Sequence, residues 1–182
     1  HPLKNLNALG DGGIISTNNK KMYHWLLQAR NHGHLNRNDC SFWSHNMRLD
    51  TLQASFLIHK LKNLKKINKR RREIANIYKS QLADILKVPS DNKHTYSVYH
   101  TYICKTDKRD ELVTFLKNKK IETKIHYPIP IHLMKVFNNE YKKNSFPNTE
   151  KLSKMIISLP IGEYLTNNQI EYTISTIKKF FK

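Results

Sequence analysis

The chain has 182 residues, of which 38% are hydrophobic and 10% aromatic. This size and composition allow one domain, or one domain and part of another, with a core of ordinary size. The 5 Gly and 6 Pro exclude a low-complexity chain, and the sequence has no run of about 18 apolar residues, so we predict no membrane span.

The net charge is +18, from 32 Lys+Arg against 14 Asp+Glu. Such an excess favours an anionic partner, which could be nucleic acid, a membrane surface or a phosphorylated ligand. The lysines are scattered along the chain, except in the run KLKNLKKINKRRR at 60–72. We interpret the charge as a solvated basic surface compatible with an anionic small-molecule ligand, and rank nucleic-acid binding last.

The first predicted elements flank a Gly-rich turn. GIIST at 13–17 predicts a short strand. The next stretch predicts a helix that Thr17 or Asn18 caps and Gly33 stops. Residues 33–47 are polar without a clear period and predict a loop.

A long helical pattern follows, from about residue 49 to residue 86. Behind it the chain alternates between strand and helix. The predicted elements are a strand at 97–106, a helix capped near Asp107, an extended Pro-containing segment at 121–133, a helix capped by Thr149 and followed by Pro160, and a last helix opened by Thr166. This order predicts a small α+β domain behind a long connecting helix.

Lys4 is the first candidate for chemistry. A lysine is a nucleophile only when its amine is neutral, which requires desolvation or a cationic neighbour. The turn at Gly10, Gly12 and Gly13 would let the backbone approach a ligand closely. By itself this pattern indicates no more than a loop.

Asn46 and Arg48 are the second candidates, because they stand just before the long helix. An amide and a guanidinium at a helix entrance suit a phosphate or a carboxylate. The alternative is an ordinary approach to a helix whose first turn carries Asp50 to offset the macrodipole.

The third candidates lie in IHYPIPIH, residues 125–132. The prolines stiffen this loop, so His126, Tyr127 and His132 could serve as rigid ligand contacts, and a packed surface loop is the alternative. No carboxylate or cysteine lies close enough in sequence to complete a metal site with the two histidines, so we predict no metal.

Cys40 and Cys104 have no CxxC partner. One disulfide between them is possible, but two free thiols in a cytoplasmic protein are the preferred interpretation.

Taken together, several stretches resemble one family, the DegT/DnrJ/EryC1/StrS sugar aminotransferases, in the family's order over nearly the whole chain. The matching stretches are HPLKNLNALGDGGIISTNN, LQARNHG, NMRLDTLQASFL, NKRRREIANIY, IETKIHYPIPIHL and SLPI. The resemblance implies an α/β fold: the C-terminal part of a fold-type-I transferase dependent on pyridoxal phosphate (PLP). Residues 1–60 would end the large domain and begin the linking helix, and residues 61–182 would complete that helix and form the small α+β domain.

The resemblance also implies residue roles. Lys4 looks like the residue that forms the Schiff base with PLP and moves protons during transfer. Asn46 looks like the residue that reaches the PLP phosphate of a neighbouring subunit, which implies a homodimer, with Arg48 supporting the phosphate or a nucleotide diphosphate. His126, Tyr127 and His132 look like contacts near the sugar. The implied amino donor is glutamate, and the implied acceptor is a nucleotide-linked keto-sugar.

Two departures from the family pattern stand out: Asn7 replaces a Gly, and Ser44-His45 replace Gly-Tyr. In this family the Asp that pairs with the pyridine nitrogen also lies upstream of the lysine, and only three residues precede Lys4 here. We therefore expect the C-terminal half of an enzyme, inactive without its N-terminal half. The alternatives are a non-catalytic remnant or interaction module and, last, a nucleic-acid binder built on residues 60–72.

Overall fold

The computed structural model describes residues 1–137 and 140–182. They form two compact units, His1–Leu64 and Lys65–Lys182. Within these described ranges, no helix is both long and apolar enough to cross a membrane. The assignment of residues 1–60 and 61–182 to the large and small domains of an enzyme stays a prediction.

The first helix, α1, spans Lys20–Ala29, as its pattern predicts. Its N-cap is Asn19, whose Oδ1 accepts a hydrogen bond from the backbone N–H of Met22 at 3.1 Å. The predicted cap at Thr17 or Asn18 is therefore wrong by one or two residues. A capping side chain accepts a hydrogen bond from a backbone N–H two or three residues later in the chain. Asn19 has this spacing to Met22 in the first turn of α1.

A two-stranded antiparallel hairpin replaces the loop predicted at 33–47. Its strands are β1 (His34–Asn36) and β2 (Asp39–Cys40). Both strands are short and mostly exposed, so no apolar alternation marks them in the sequence. Gly33 turns the chain into the hairpin with φ +72°, a left-handed conformation that costs glycine little. Its N–H donates to the carbonyl of Gln28 at 2.9 Å and so closes the end of α1, as predicted.

The strand predicted at 13–17 is wrong. Ile14 and Ile15 are 92% and 70% exposed, and the described sheets contain no strand that pairs with them. A strand is stabilised by a hydrogen-bonded neighbour and by the packing of one face, and β-branched residues supply neither of these by themselves.

The long helix, α2, spans Thr51–Leu82 and confirms the helical pattern predicted for 49–86, with shorter ends. It has 32 residues, or about 48 Å at 1.5 Å per residue. Its buried side chains all lie in the second unit, where the helix supplies one wall of the core. They are Ile67, Arg71, Ile74, Ala75, Tyr78 and Leu82.

The second unit is an α+β arrangement built on a two-stranded antiparallel sheet, as the order of elements predicts. The strands are β3 (Tyr102–Lys105) and β4 (Ile156–Leu159), in a register that pairs Tyr102 with Leu159 and Lys105 with Ile156. The described part of the unit also contains three α-helices, α3 (Arg109–Asn118), α4 (Pro147–Met155) and α5 (Asn167–Phe181), and two short 3-10 helices, Ile131–Leu133 and Lys135–Phe137. The core joins apolar side chains of α2, β3, α3, β4 and α5, including Tyr78, Tyr102, Leu116, Ile157 and Ile177.

Strand β4 corrects the helix predicted up to Pro160. The apolar run IISL is too short for its period to separate helix from strand, and pairing with β3 decides the outcome. The cap predicted near Asp107 falls one residue later, at Lys108, without a side-chain hydrogen bond. The cap predicted at Thr149 is wrong, because α4 begins after Phe146.

The cap predicted for α5 is confirmed. The Thr166 Oγ1 accepts from the N–H of Gln169 at 3.3 Å, and the Gln169 side chain accepts from the N–H of Thr166 at 3.0 Å. This reciprocal pair is a capping box, which satisfies two N–H groups that the helix itself cannot.

The two cysteines are free thiols, as predicted, and they differ in environment. Cys40 is exposed on β2. Cys104 is fully buried on β3, and burial raises its pKa to about 12.

A thiol reagent is therefore expected to modify Cys40 and spare Cys104 in the native chain. Near pH ~8, Cys104 is both inaccessible and protonated, and only the thiolate reacts. Counting modified thiols by mass spectrometry should give one per chain before unfolding and two in denaturant. Fast native labelling of Cys104 would contradict the buried position of β3.

Candidate active site

The glycine turn that follows Lys4 lies against the start of α2 within the first unit, where a Cβ at Gly10 would lie 3.1 Å from the Nε2 of Gln53. Asn5 and Ala8 are buried, whereas Lys4 itself is exposed, with its backbone N–H donating to the carbonyl of His1 at 3.1 Å. A Cβ at Gly12 would lie 2.6 Å from the Cδ1 of Leu49. Position 12 therefore requires glycine, because any side chain there would collide with Leu49, the residue that follows Arg48.

The stretch that carries Asn46 and Arg48 is hydrogen-bonded to the end of α1. Asn46 forms a β-bridge with Asn31, and the N–H of Met47 donates to the carbonyl of Arg30 at 2.8 Å. The Nη2 of Arg48 donates to the Oδ1 of Asn31 at 2.7 Å. Two of the motif stretches, LQARNHG and NMRLDTLQASFL, are therefore joined by hydrogen bonds within the first unit.

Asn46 and Arg48 are both exposed, and their positions are set by backbone bonds and by Asn31. An amide and a guanidinium held in this way can donate to an anionic oxygen with little loss of conformational freedom. The chemistry of this pair suits a phosphate. Sequence reasoning missed the contribution of Asn31, although it lies inside a motif that was recognised.

His126 and Tyr127 lie in the second unit. The Nδ1 of His126 is 2.8 Å from the Oγ of Ser158, and the His126 and Tyr127 rings are nearly perpendicular, at a centroid distance of 5.5 Å. Tyr127 is 70% exposed, whereas His126 is half-buried. His126 is therefore held from one side of its ring by β4.

His132 is buried, unlike the two residues before it in the motif. Its Nε2 is 3.1 Å from the Oε1 of Glu150, and its ring packs on Phe146 at 4.7 Å. Hydrogen bonding to the backbone N–H of Asn144, with a smaller contribution from His132, holds the pKa of the Glu150 carboxyl below its usual value. These contacts support a role in fixing the Pro-containing loop onto α4, and a direct contact between His132 and the sugar stays a prediction.

The basic run at 60–72 lies in α2 and partly serves the fold. Arg71 is buried, and Arg72 pairs with Asp91 at 2.7 Å while its guanidinium stacks on the Tyr96 ring at 4.1 Å. Fewer side chains of this run are therefore free to contact phosphates than the sequence suggests, and this weakens the hypothesis of a nucleic-acid binder. Over residues 1–137 and 140–182, no group of three or more His, Cys, Asp or Glu side chains is arranged to hold a metal ion.

Comparison with known proteins decides the family. The model of the DegT/DnrJ/EryC1/StrS aminotransferase family matches residues 1–178. The chain belongs to this family. The resemblance carried by the motifs is thereby confirmed.

Two curated members of the family match almost the whole chain. A pleiotropic regulatory protein of Geobacillus stearothermophilus is 35% identical over 100% of this chain and 50% of its own length. The dTDP-3-amino-3,4,6-trideoxy-alpha-D-glucose transaminase of Streptomyces venezuelae is 33% identical over 99% of this chain and 48% of its own length. The chain thus spans about half the length of the curated relatives that it matches.

Solved structures of the family confirm the predicted fold class, the C-terminal part of a fold-type-I transferase. S. venezuelae DesV, solved in complex with a ketimine intermediate, gives a TM-score of 0.94 at 33% identity, over 99% of this chain and 49% of DesV. A family member from Brucella abortus gives 0.92 at 32% identity, over 99% of this chain and 49% of its own.

Proposed function

We propose that this chain is the lysine-bearing part of a PLP-dependent aminotransferase that moves an amino group from glutamate to a nucleotide-linked keto-sugar, as a step in making an amino sugar for a surface glycan. The supporting observation is the family match over residues 1–178, which contains Lys4 in its expected segment. Named relatives act on dTDP-, UDP- and GDP-linked sugars, so the nucleotide of this substrate is left unspecified.

The residues present fit PLP. Lys4 offers a primary amine at an exposed position, and the glycine turn that follows it is packed against Gln53 and Leu49, which fixes the chain just beyond the lysine. Asn46 and Arg48 offer donors suited to the cofactor phosphate. PLP, when bound, supplies an electron sink for the carbon that gains or loses the amino group.

Each residue has a stated task in the proposed mechanism. Lys4 would hold the cofactor through its side-chain amine, and the same amine, when neutral, would carry a proton to and from the reacting carbon. Asn46 would donate to the cofactor phosphate of a neighbouring subunit, and this role requires a homodimer. Arg48 supports that phosphate or the nucleotide diphosphate, and His126 and Tyr127 contact the sugar. We place the enzyme in the cytoplasm, where the exposed thiol of Cys40 stays reduced.

Reductive trapping tests this proposal. The protein, expressed with the sequence that flanks this chain in its gene, is incubated with PLP, reduced with borohydride and mapped by mass spectrometry. We expect the phosphopyridoxyl group on Lys4 and little on Lys20, an exposed lysine that serves as the matched control. Equal labelling of both lysines would contradict a cofactor site at Lys4.

A non-catalytic member of the family is the second candidate. It is favoured by the name of one relative, the pleiotropic regulatory protein, which is 35% identical to this chain. Transfer of ¹⁵N from labelled glutamate to a nucleotide-linked sugar, followed by mass spectrometry, separates the two. Selective trapping at Lys4 without any transfer to a panel of keto-sugars would favour the second candidate.

A further inference from the structure

Ser158 is a buried hydroxyl in the middle of β4, 5% exposed. In the sheet it lies opposite Ile103 of β3, and its two neighbours in β4, Ile157 and Leu159, belong to the hydrophobic core. Its Oγ is 2.8 Å from the Nδ1 of His126, a residue 32 positions away in sequence. Ser158 is the first residue of the SLPI stretch that matches the family, and the resemblance implies no role for it or for this contact.

The backbone of Ser158 also holds the chain just before His126. The Ser158 N–H donates to the carbonyl of Lys124 at 2.8 Å, and the Lys124 N–H donates to the carbonyl of Ser158 at 3.3 Å. One residue of the sheet therefore anchors both the main chain two positions before His126 and the imidazole ring itself. Such double anchoring restricts both the position and the rotation of the ring.

The direction of the Ser158–His126 hydrogen bond follows from burial. A buried hydroxyl hydrogen needs an acceptor, because leaving it unpaired is costly. The Nδ1 of His126 is an acceptor only when it carries no proton. If the hydroxyl donates to Nδ1, the neutral ring carries its proton on Nε2, and Nε2 becomes a hydrogen-bond donor.

We propose that Ser158 is a positioning residue that holds His126 in the Nε2–H form and so presents a fixed hydrogen-bond donor to an oxygen of the nucleotide-linked sugar. The identity of the ligand rests on the proposed function. The effect of Ser158 on the tautomer of His126 does not. The outward neighbour of His126 is the exposed ring of Tyr127, which gives the sugar an aromatic face beside the donor.

NMR of the imidazole nitrogens tests the structural part without cofactor or substrate. The signals of His126 are identified, among the 10 histidines, by their loss in His126→Gln. In the unsubstituted protein we expect a single tautomer with the proton on Nε2. Ser158→Ala should produce averaging between the two tautomers, because the Nδ1 contact is lost, and Ser158→Thr should keep the single tautomer because it retains the hydroxyl.

Ser153→Ala is the matched control. Ser153 is also buried in the second unit, at 7% exposure, but its Oγ donates to the carbonyl of Glu150 at 2.8 Å instead of contacting a histidine. It should leave the His126 signals unchanged, which separates the Ser158 contact from a general loosening of the unit. A proton on Nδ1 of His126 in the unsubstituted protein, or an unchanged tautomer in Ser158→Ala, would overturn the inference.

Kinetics of the full-length enzyme test the ligand part. We expect Ser158→Ala to raise KM for the nucleotide-linked sugar about tenfold, the size of one well-oriented hydrogen bond, and to leave the glutamate half-reaction unchanged. A changed tautomer with an unchanged KM would overturn the assignment of the sugar as ligand. Absence of any transamination in the unsubstituted enzyme would instead contradict the proposed function, whereas the NMR result would still decide the role of Ser158.

Discussion

Lys4→Arg is expected to lower the transamination rate of the full-length enzyme by about 10⁴-fold or more, the size of effect found when a covalent catalytic group is removed. Arginine keeps the positive charge but cannot attach the cofactor covalently, and its guanidinium stays protonated, so it cannot act as a base. The rate of amino transfer from glutamate, measured by appearance of 2-oxoglutarate, checks this expectation.

Lys20→Arg is the control for Lys4→Arg. Lys20 is exposed at the start of α1 and has no role in the proposed mechanism, so this variant should keep full activity. Far-UV circular dichroism of both variants should match that of the unsubstituted enzyme, because neither side chain belongs to a core. Activity in Lys4→Arg within tenfold of the unsubstituted enzyme would rule out Lys4 as the covalent residue.

Arg71→Met is expected to destabilise the second unit by about 3 kcal/mol, since three backbone carbonyls each lose a charged donor. The Nη1 of Arg71 lies 3.2 to 3.3 Å from the carbonyl oxygens of Tyr99, His100 and Ile161, and its Nη2 is 3.1 Å from Glu163. Methionine replaces the aliphatic stem of the arginine side chain but lacks its guanidinium and donates no hydrogen bond, so the buried carbonyls would be left poorly satisfied.

The unfolding of the second unit can be followed through Cys104. In a Cys40→Ser background, the thiol of Cys104 becomes reactive only when this unit opens, so its labelling against denaturant reports the stability of that unit. Fluorescence of Trp25 and Trp43 reports the first unit, where both tryptophans lie. We expect a lower midpoint for the thiol signal in Arg71→Met and an unchanged tryptophan signal.

Lys69→Met is the matched control, because Lys69 is exposed on the same helix and its loss removes a charge of the same sign. Its free energy of unfolding should stay within about 0.5 kcal/mol of that of the unsubstituted chain, as is usual for surface substitutions. An equal loss of stability in both variants would show that net charge, and not the contacts of Arg71, accounts for the effect.

The motifs of the family could be recognised from the sequence, but the structural roles of their residues could not. The stretch NKRRREIANIY was recognised by its pattern, and the structure shows that Arg71, Ala75 and Tyr78 in it are buried parts of the core. His132 stands in the same motif as His126, yet it turns inward to Glu150. A motif records which residues occur together, and only the fold determines which of them point outward.

The helices and the α5 cap were predictable because their signals are local. A helix repeats every 3.6 residues, and the box formed by Thr166 and Gln169 lies within one turn, so a short window of sequence contains all the interactions involved. For the same reason the lysine segment and the family could be recognised from the sequence alone, since each motif is a contiguous string.

The strand β4 and the support of the candidate site were decided only by the tertiary structure. Ile156–Leu159 becomes a strand because β3, more than fifty residues earlier, supplies its hydrogen-bonding partner. Arg48 is held by Asn31 and His126 by Ser158, at separations of 17 and 32 residues. Contacts over such separations depend on where the packed core brings the chain together, and no local pattern encodes them.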